Sequence, residues 1–443
     1  MKRALLAVLL LGGTAGLLFA CESARVDAAD GYGPRPTLPP PNAGLLPTVS
    51  IARAVGWAAG ERPIPAPGLA VTAFAAGLAH PRNVAVLSNG DVLVVESDAP
   101  PKPEGTSGIR GQVMGLLMAR SGSGRAPSAN RITLLRDGDG DGVAEQRSVL
   151  LEGLNSPFGV VQLGDALYVA NTDAIRRYPF LPGQTRIDDP GVQLTALPAG
   201  PRNHHWTKNL AASADGRSLF VSIGSNSNVA EHGMAAEAGR AQIWRVDVAT
   251  GAATAYATGL RNPNGLSVAP GGVLWTAVNE RDEIGSDLVP DYMTSVREGG
   301  FYGWPHSYYG QTVDGRAPAD PAAVARAIAP DYALGAHTAS LGLLVTGASG
   351  LPAPFGAGAF VAQHGSWNRR PAAPPRVIFV PFANGRPSGP PSEVLAGFLV
   401  GGEARGKPVS LALDNRGGLL VADDVGGSVW RVSSAASGAA ARP

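Results

Sequence analysis

The chain has 443 residues with 36 basic and 35 acidic side chains, a formal charge of +1. That balance offers no basic face to displace the counterions of a nucleic acid, so nucleic acid is not an expected partner. Hydrophobic residues make up 44%, enough for a large core, and the 59 glycines and 38 prolines are spread along the chain, as many turns require.

The N-terminus reads MKRALLAVLLLGGTAGLLFAC. Lys2 and Arg3 form a positive n-region, and Ala4 to Phe19 form an apolar run too short and wrongly flanked for a membrane span. The single cysteine follows Ala20, where cleavage would leave it N-terminal. Residues 1–21 therefore read as a lipoprotein-type signal with Cys21 as the lipidation site. The expectation is an exported protein on the periplasmic face, held to the membrane by a lipid anchor. Ordinary cleavage nearby, or an uncleaved anchor, would also place the body outside the cytoplasm. With Cys21 used, the body has no disulfide. Residues 22–66 are rich in Pro, Ala and Gly and read as a tether.

Residues 67–434 are too long for one simple core, and repetition accounts for them. Six passages are alike: HPRNVAVLSNGDVLVVES (80–97), NSPFGVVQLGDALYVANT (155–172), NLAASADGRSLFVSIGS (209–225), RNPNGLSVAPGGVLWTAVNE (261–280), GLPAPFGAGAFVAQHGS (350–366) and KPVSLALDNRGGLLVADD (407–424). Each reads as a loop, a short apolar strand, a glycine-containing turn and a second apolar strand. The NG, DG and GG pairs are hairpin chemistry, because glycine admits positive φ. IWRVDVATG (243–251), RVIFVPFANG (376–385) and SVWRVS (428–433) supply later strands. No long amphipathic helix is evident. The repeat predicts an all-β fold, a six-bladed β-propeller of four-stranded antiparallel blades, with residues 435–443 as a disordered tail. A pair of β-sandwiches is the alternative.

In a propeller the loops entering each first strand collect at one end of the channel. PRNHHWTKNL (201–210) enters one such strand, and GLRNPNGL (259–266) and ARGKPVS (404–410) hold equivalent places. His204 and His205, Arg261 and Asn262, Arg405 and Lys407, and HGSWNRR (364–370) would then converge. Several cations sharing a low-dielectric channel call for an anion. Arginine forks and an indole suit a flat one.

GLRNPNGL, the histidine loop before it, ERDEIGSDLVPDYMTSVREGGFYGWP (280–305) and VADDVGGSVWRV (421–432) resemble the soluble sugar dehydrogenases that use pyrroloquinoline quinone, in particular the sorbosone dehydrogenase branch. The resemblance spans about residues 68–434. It implies a six-bladed propeller and a planar quinone cofactor bearing three carboxylates. It implies His205 as the general base, with His204 more plausibly structural. Arg261 is implied to act in catalysis and, with Asn262, to contact the quinone; Arg405 and Lys407 would bind its carboxylates. His364, Trp367 and Arg369 lie where the family has another basic contact. A calcium ion on the quinone would be held by backbone carbonyls, here those of Arg281 and Asp282, although the family's Gly-Pro is absent from ERDEIG. Trp206-Thr207-Lys208-Asn209 replaces a smaller stretch, which alters the substrate pocket. The implied reaction is oxidation of a sugar hydroxyl or hydrated aldehyde, with an electron acceptor the sequence does not name. Trp304 serves equally as core or as pocket wall.

RDGDGDGVAEQ (136–146) is a separate motif. Asp137, Asp139 and Asp141 alternate with glycines, as in loops that wrap calcium. The Val143 carbonyl and Glu145 could complete the shell. Ser148 stands where a full EF-hand loop has Glu. The expectation is a structural calcium site; a plain acidic turn is the alternative. Two rival functions are a calcium-dependent lactonase on a similar propeller, which needs inward carboxylates around a catalytic metal, and a non-catalytic propeller binding module.

Overall fold

A computed structural model describes residues 22–42, 48–100, 127–200 and 202–435. The expected signal with Cys21, and residues 436–443 of the expected tail, lie outside the described residues. The fold is all-β. Sheet I holds Pro81–Val86, Val92–Glu96, Arg131–Arg136 and Gln146–Leu151; sheet II holds Gly159–Leu163, Ala166–Ala170, Ala174–Pro179 and Val192–Ala196. Sheet III holds Leu210–Ala212, Ser218–Ile223, Gln242–Asp247 and Ala253–Thr258; sheet IV holds Gly265–Val268, Leu274–Val278, Pro290–Ser295 and Tyr332–Ala336. Sheet V holds Ser340–Thr346, Gly358–Gln363, Arg376–Ala383 and Ser392–Ala396. Sheet VI holds Pro408–Leu413, Leu419–Asp423 and Ser428–Ser434, and is completed by Leu69–Ala75 from the other end of the sequence, with Leu69 opposite Ser434 and Ala75 opposite Val429.

The first strands lie side by side in sheet order, and Pro408–Leu413 returns against Pro81–Val86. Each second strand is covered on both faces by neighbouring sheets. Its residues are accordingly apolar almost without alternation: Val92–Glu96, Ala166–Ala170 and Leu419–Asp423 are buried at every position. Burying one such Val, Leu or Phe side chain stabilises the fold by about 1.5–3 kcal/mol. The outer strand Val192–Ala196 has no covering layer and is largely exposed. The predicted hairpin turns are present, with Gly90 at φ 92° in the first of them. The longest described helix, Pro321–Arg326, has six residues and is capped by Asp320.

Two expectations are corrected. Passage 350–366 is not the first hairpin of its sheet. The first strand is Ser340–Thr346, and 350–366 spans the following turn and second strand. Its connection runs from 347 to 357 through Pro352 and Pro354, so no two-residue turn marks the hairpin. The segment 22–66 is not a free tether over its described residues. Tyr32–Gly33 pairs with sheet IV and Ile64–Pro65 with sheet V. Trp57 packs edge-on against Phe398 (5.7 Å) and Trp430 (5.4 Å), and its Nε1 donates to Asp423 Oδ2 at 2.7 Å. Prolines and glycines gave the segment a linker's composition, but its backbone groups are paired: Asn42 N–H donates to Ile284 O (2.9 Å) and Ser50 N–H to Trp367 O (2.7 Å).

Candidate active site

The loops between outer and first strands, and those between second and third strands, lie at one end of the sheets. That end carries 76–80, 202–209, 224–241, 259–264, 279–289, 337–339, 364–375 and 424–427. Beneath it a polar belt crosses the first strands. Ser410 Oγ donates to Asn83 Oδ1 (2.6 Å), Asn83 Nδ2 to Asn209 Oδ1 (3.2 Å), Asn209 Nδ2 to Asn264 O (2.9 Å) and Asn264 Nδ2 to Leu341 O (3.0 Å). The belt ties the first strands together beneath the loop end.

His205 is fixed by its backbone neighbours. Its Nδ1 lies 2.8 Å from the Ser225 carbonyl oxygen, which only accepts, so Nδ1 carries the hydrogen and Nε2 keeps the lone pair. Gly224 makes this approach possible: a Cβ there would fall 2.5 Å from both His205 Cβ and Asn262 Oδ1. Burial, then the neighbouring His204 and Arg261, push the His205 imidazole well below its ordinary pKa. His204 is exposed, and its ring meets His205 edge-on at 4.6 Å. Lys208 is fully buried; its Nζ donates to Trp206 O (3.1 Å) and His205 O (3.4 Å), holding the loop from below.

Arg261 and Asn262 are brought to this place and are buried. The Arg261 guanidinium donates to Glu280 O (2.6 Å), Asn279 O (3.2 Å) and Asn228 Oδ1 (3.1 Å), and pairs with Asp282 Oδ2 at 3.2 Å. Asp282 Oδ1 also accepts from Asn368 Nδ2 (2.8 Å) and lies 3.4 Å from His337 Nδ1. Burial opposes this carboxylate, but His337, Arg261 and Asn368 hold it down at about 2. Of the two carbonyls expected to face calcium, those of Arg281 and Asp282, the second has partners within the protein. It accepts from Arg281 Nη1 (2.7 Å) and Asn228 Nδ2 (3.2 Å). The Arg281 guanidinium is itself buried against Asp314 at 2.7 Å.

A second group forms around Asp424, which follows the last residue of the buried strand Leu419–Asp423. Its carboxylate pairs with Arg82, lies 2.9 Å from His364 Nε2 and 3.8 Å from His80 Nε2. Lys407 acts on the same carboxylate. Burial opposes the Asp424 charge, but His364, Arg82 and His80 hold it far below the carboxylate range. Burial also pushes His364 and Lys407 down, with Asp424 pulling the other way. The Arg82 guanidinium sits 5.8 Å from the ring centres of both Phe158 and Trp206, so Trp206 joins this group to the His205 loop.

Three predicted cofactor residues lie apart from both groups. Arg405 Nη1 turns outward to Glu61 at 2.6 Å. Arg369 lines a cavity of about 230 Å³ with Tyr32, Asp287 and Arg376, and donates to Pro371 O at 2.7 Å. Trp367 is half-buried beneath the N-terminal segment, where its carbonyl accepts from Ser50. Trp304 is core, with Nε1 donating to Asn228 O at 2.9 Å. The acidic loop lies at the other end of sheet I, between its third and fourth strands. Ligand atoms of Asp137, Asp139, Asp141 and Glu145 come within 4.8 Å of one another.

Residues 114–296 match the family model described as TrAA12-like. The fold is similar to that of several solved structures. The calcium structure of a Carbohydrate-Active Enzymes family AA12 protein from Trichoderma reesei has 18% identity and a TM-score of 0.67, covering 88% of this chain and 99% of that one. The PQQ domain of pyranose dehydrogenase from Coprinopsis cinerea has 20% identity and a TM-score of 0.67, covering 86% and 100%. The PQQ-bound aldose sugar dehydrogenase from Streptomyces coelicolor has 15% identity and a TM-score of 0.53, covering 84% and 99%. An uncharacterized protein of Borreliella burgdorferi is 25% identical over 299 residues, 63% of this chain and 76% of its own length.

Within this site, Arg82, His80 and Asp424 were missed by the sequence reading. The signal was present. HPRN opens the first repeat at the place where GLRNPN stands in the fourth, and a second aspartate directly after an all-apolar strand is a charge in an improbable position.

Proposed function

We propose that residues 67–434 form a six-bladed β-propeller oxidoreductase that oxidises a sugar hydroxyl or hydrated aldehyde, of aldose or sorbosone type, with pyrroloquinoline quinone. The observation that carries this reading is the pairing of a basic basin with a histidine whose Nε2 lone pair is fixed and neutral. Arg82 and Lys407 face one carboxylate, Asp424, with two histidines beside it. Arg82 Nε is a buried donor without an acceptor. A flat tricarboxylate fits such a donor set, and the Trp206 ring offers an aromatic wall next to it.

A bound quinone would supply the acceptor for the hydride of the substrate carbon. The chain's own residues prepare that transfer. His205 Nε2 takes the proton of the substrate hydroxyl, and its Nδ1–H bond to Ser225 holds the ring in the required tautomer. Arg82, Lys407 and His364 would hold the quinone's carboxylates, while Lys208 and the Asn83–Asn209–Asn264 belt keep the surrounding loops in place. Titration of the protein with the quinone should quench tryptophan emission. Lys407→Met, which removes a charged partner worth about 1.5–3 kcal/mol, should weaken binding by roughly tenfold or more. Unchanged affinity in Lys407→Met and Arg82→Met would remove the assignment.

The acidic loop is assigned a structural calcium ion on Asp137, Asp139, Asp141, Glu145 and the Val143 carbonyl. We also place the protein outside the cytoplasm with a lipid on Cys21. Glu22 Oε2 accepts from Ser286 N–H at 2.7 Å, so such an anchor would hang beside the 279–289 loop, on the site-bearing end. The mass of the N-terminal peptide from the membrane fraction decides this; an unmodified cysteine, or a start elsewhere, sinks it.

A further inference from the structure

The loop 279–285 should be the wall on which a divalent ion would rest against the quinone, yet its oxygens are already engaged. Asn279 O and Glu280 O accept from Arg261, at 3.2 and 2.6 Å. Asp282 O accepts from Arg281 and Asn228. Glu283 O accepts from Arg316 (3.5 Å), Ile284 O from Asn42 N–H (2.9 Å) and Gly285 O lies 2.8 Å from His337 Nε2. Six of seven consecutive carbonyls thus face protein N–H or imidazole nitrogen. The Asp282 carboxylate is engaged at both oxygens, by Arg261 on one and by His337 and Asn368 on the other. Calcium needs six to eight oxygens, and it would need them here beside two buried guanidinium groups. Arg261 and Arg281 are among the most completely buried large side chains of the protein. Each is paired with a carboxylate, Arg261 with Asp282 at 3.2 Å and Arg281 with Asp314 at 2.7 Å, and a guanidinium presents its donors in a fixed plane, so the oxygens it holds are not readily released to a metal.

We propose that this chain binds its quinone without a divalent ion on residues 279–285, whose oxygens are held by Arg261, Arg281, Asn228 and His337 instead. The inference rests on the quinone reading above. The only acidic metal cluster among the described residues is the loop at 137–145, at the opposite end of the sheets. Its contribution is removed first, in the double variant Asp139→Ala, Asp141→Ala. Calorimetric titration of this variant with calcium, with and without saturating pyrroloquinoline quinone, should show no bound ion. Its quinone affinity in calcium and in chelator should agree within about threefold, a difference under 1 kcal/mol. One calcium ion retained by the variant in the presence of quinone, or a tenfold loss of quinone affinity in chelator, overturns the proposal. If the quinone binds in neither buffer, the functional reading falls and this proposal falls with it, an outcome distinct from quinone binding that requires calcium.

Discussion

His205→Gln should bind the quinone as tightly as the natural protein and lose turnover by about 10²-fold or more, the usual worth of a positioned base. Glutamine keeps the size and a donor for the Ser225 carbonyl, but offers no lone pair of comparable basicity where Nε2 stands. The pH profile adds a second readout. Burial, His204 and Arg261 lower the His205 pKa, so Nε2 stays unprotonated below the ordinary imidazole range. The acid limb of kcat should therefore lie below about pH 6.5, the unperturbed histidine value. The same shift makes the folded state bind fewer protons than the unfolded chain beneath that pH, so stability should decline as pH falls through it. His204→Gln removes one repelling neighbour. It should keep most of the turnover and move the acid limb upward. Equal losses in the two variants would mean that the base is not His205.

How far the sequence carried these conclusions depends on the kind of signal. Turn chemistry and unbroken apolar strands are local, and they located five of the six first hairpins. The sixth was displaced because its connection is long and proline-bearing, so no short-range turn marks it. The placing of His205, Arg261, Asn262 and Lys407 at one end was legible because their loops enter the first strands of successive repeats, whereas His364 follows a second strand. Arg405 was read from the same loop as Lys407, but it turns outward to a glutamate 344 positions away, a pairing with no local trace. The closing strand Leu69–Ala75 and the packed segment before it depend on partners near the other end of the chain. Composition could show only that this segment was rich in Pro and Gly. Asp424 was overlooked for a related reason: an aspartate after a buried strand becomes meaningful only once Arg82, more than three hundred residues earlier, is known to face it.

Asp424→Asn should cost about 3–5 kcal/mol of stability at neutral pH, because among the described residues it removes the one carboxylate that Arg82, His364 and His80 share and leaves the largely buried Arg82 cation unpaired. Asparagine matches the shape, so a cavity does not explain the loss. Urea unfolding measures it. The sign of the pH dependence follows from the depressed folded-state pKa of Asp424. Its carboxylate contributes fully above the unfolded value of about 3.9, and the contribution is lost as pH falls through that range toward the folded value. The difference between variant and natural protein should thus be nearly constant from pH 7 to pH 5. The quinone supplies the discriminating condition. If the basin is built for an anion, saturating pyrroloquinoline quinone restores a partner to Arg82 and Lys407, and the stability deficit of Asp424→Asn should shrink. A deficit of the same size with and without the quinone would mean that Asp424 merely ties sheet VI to sheet I, and that the cations around it were not arranged to receive a ligand.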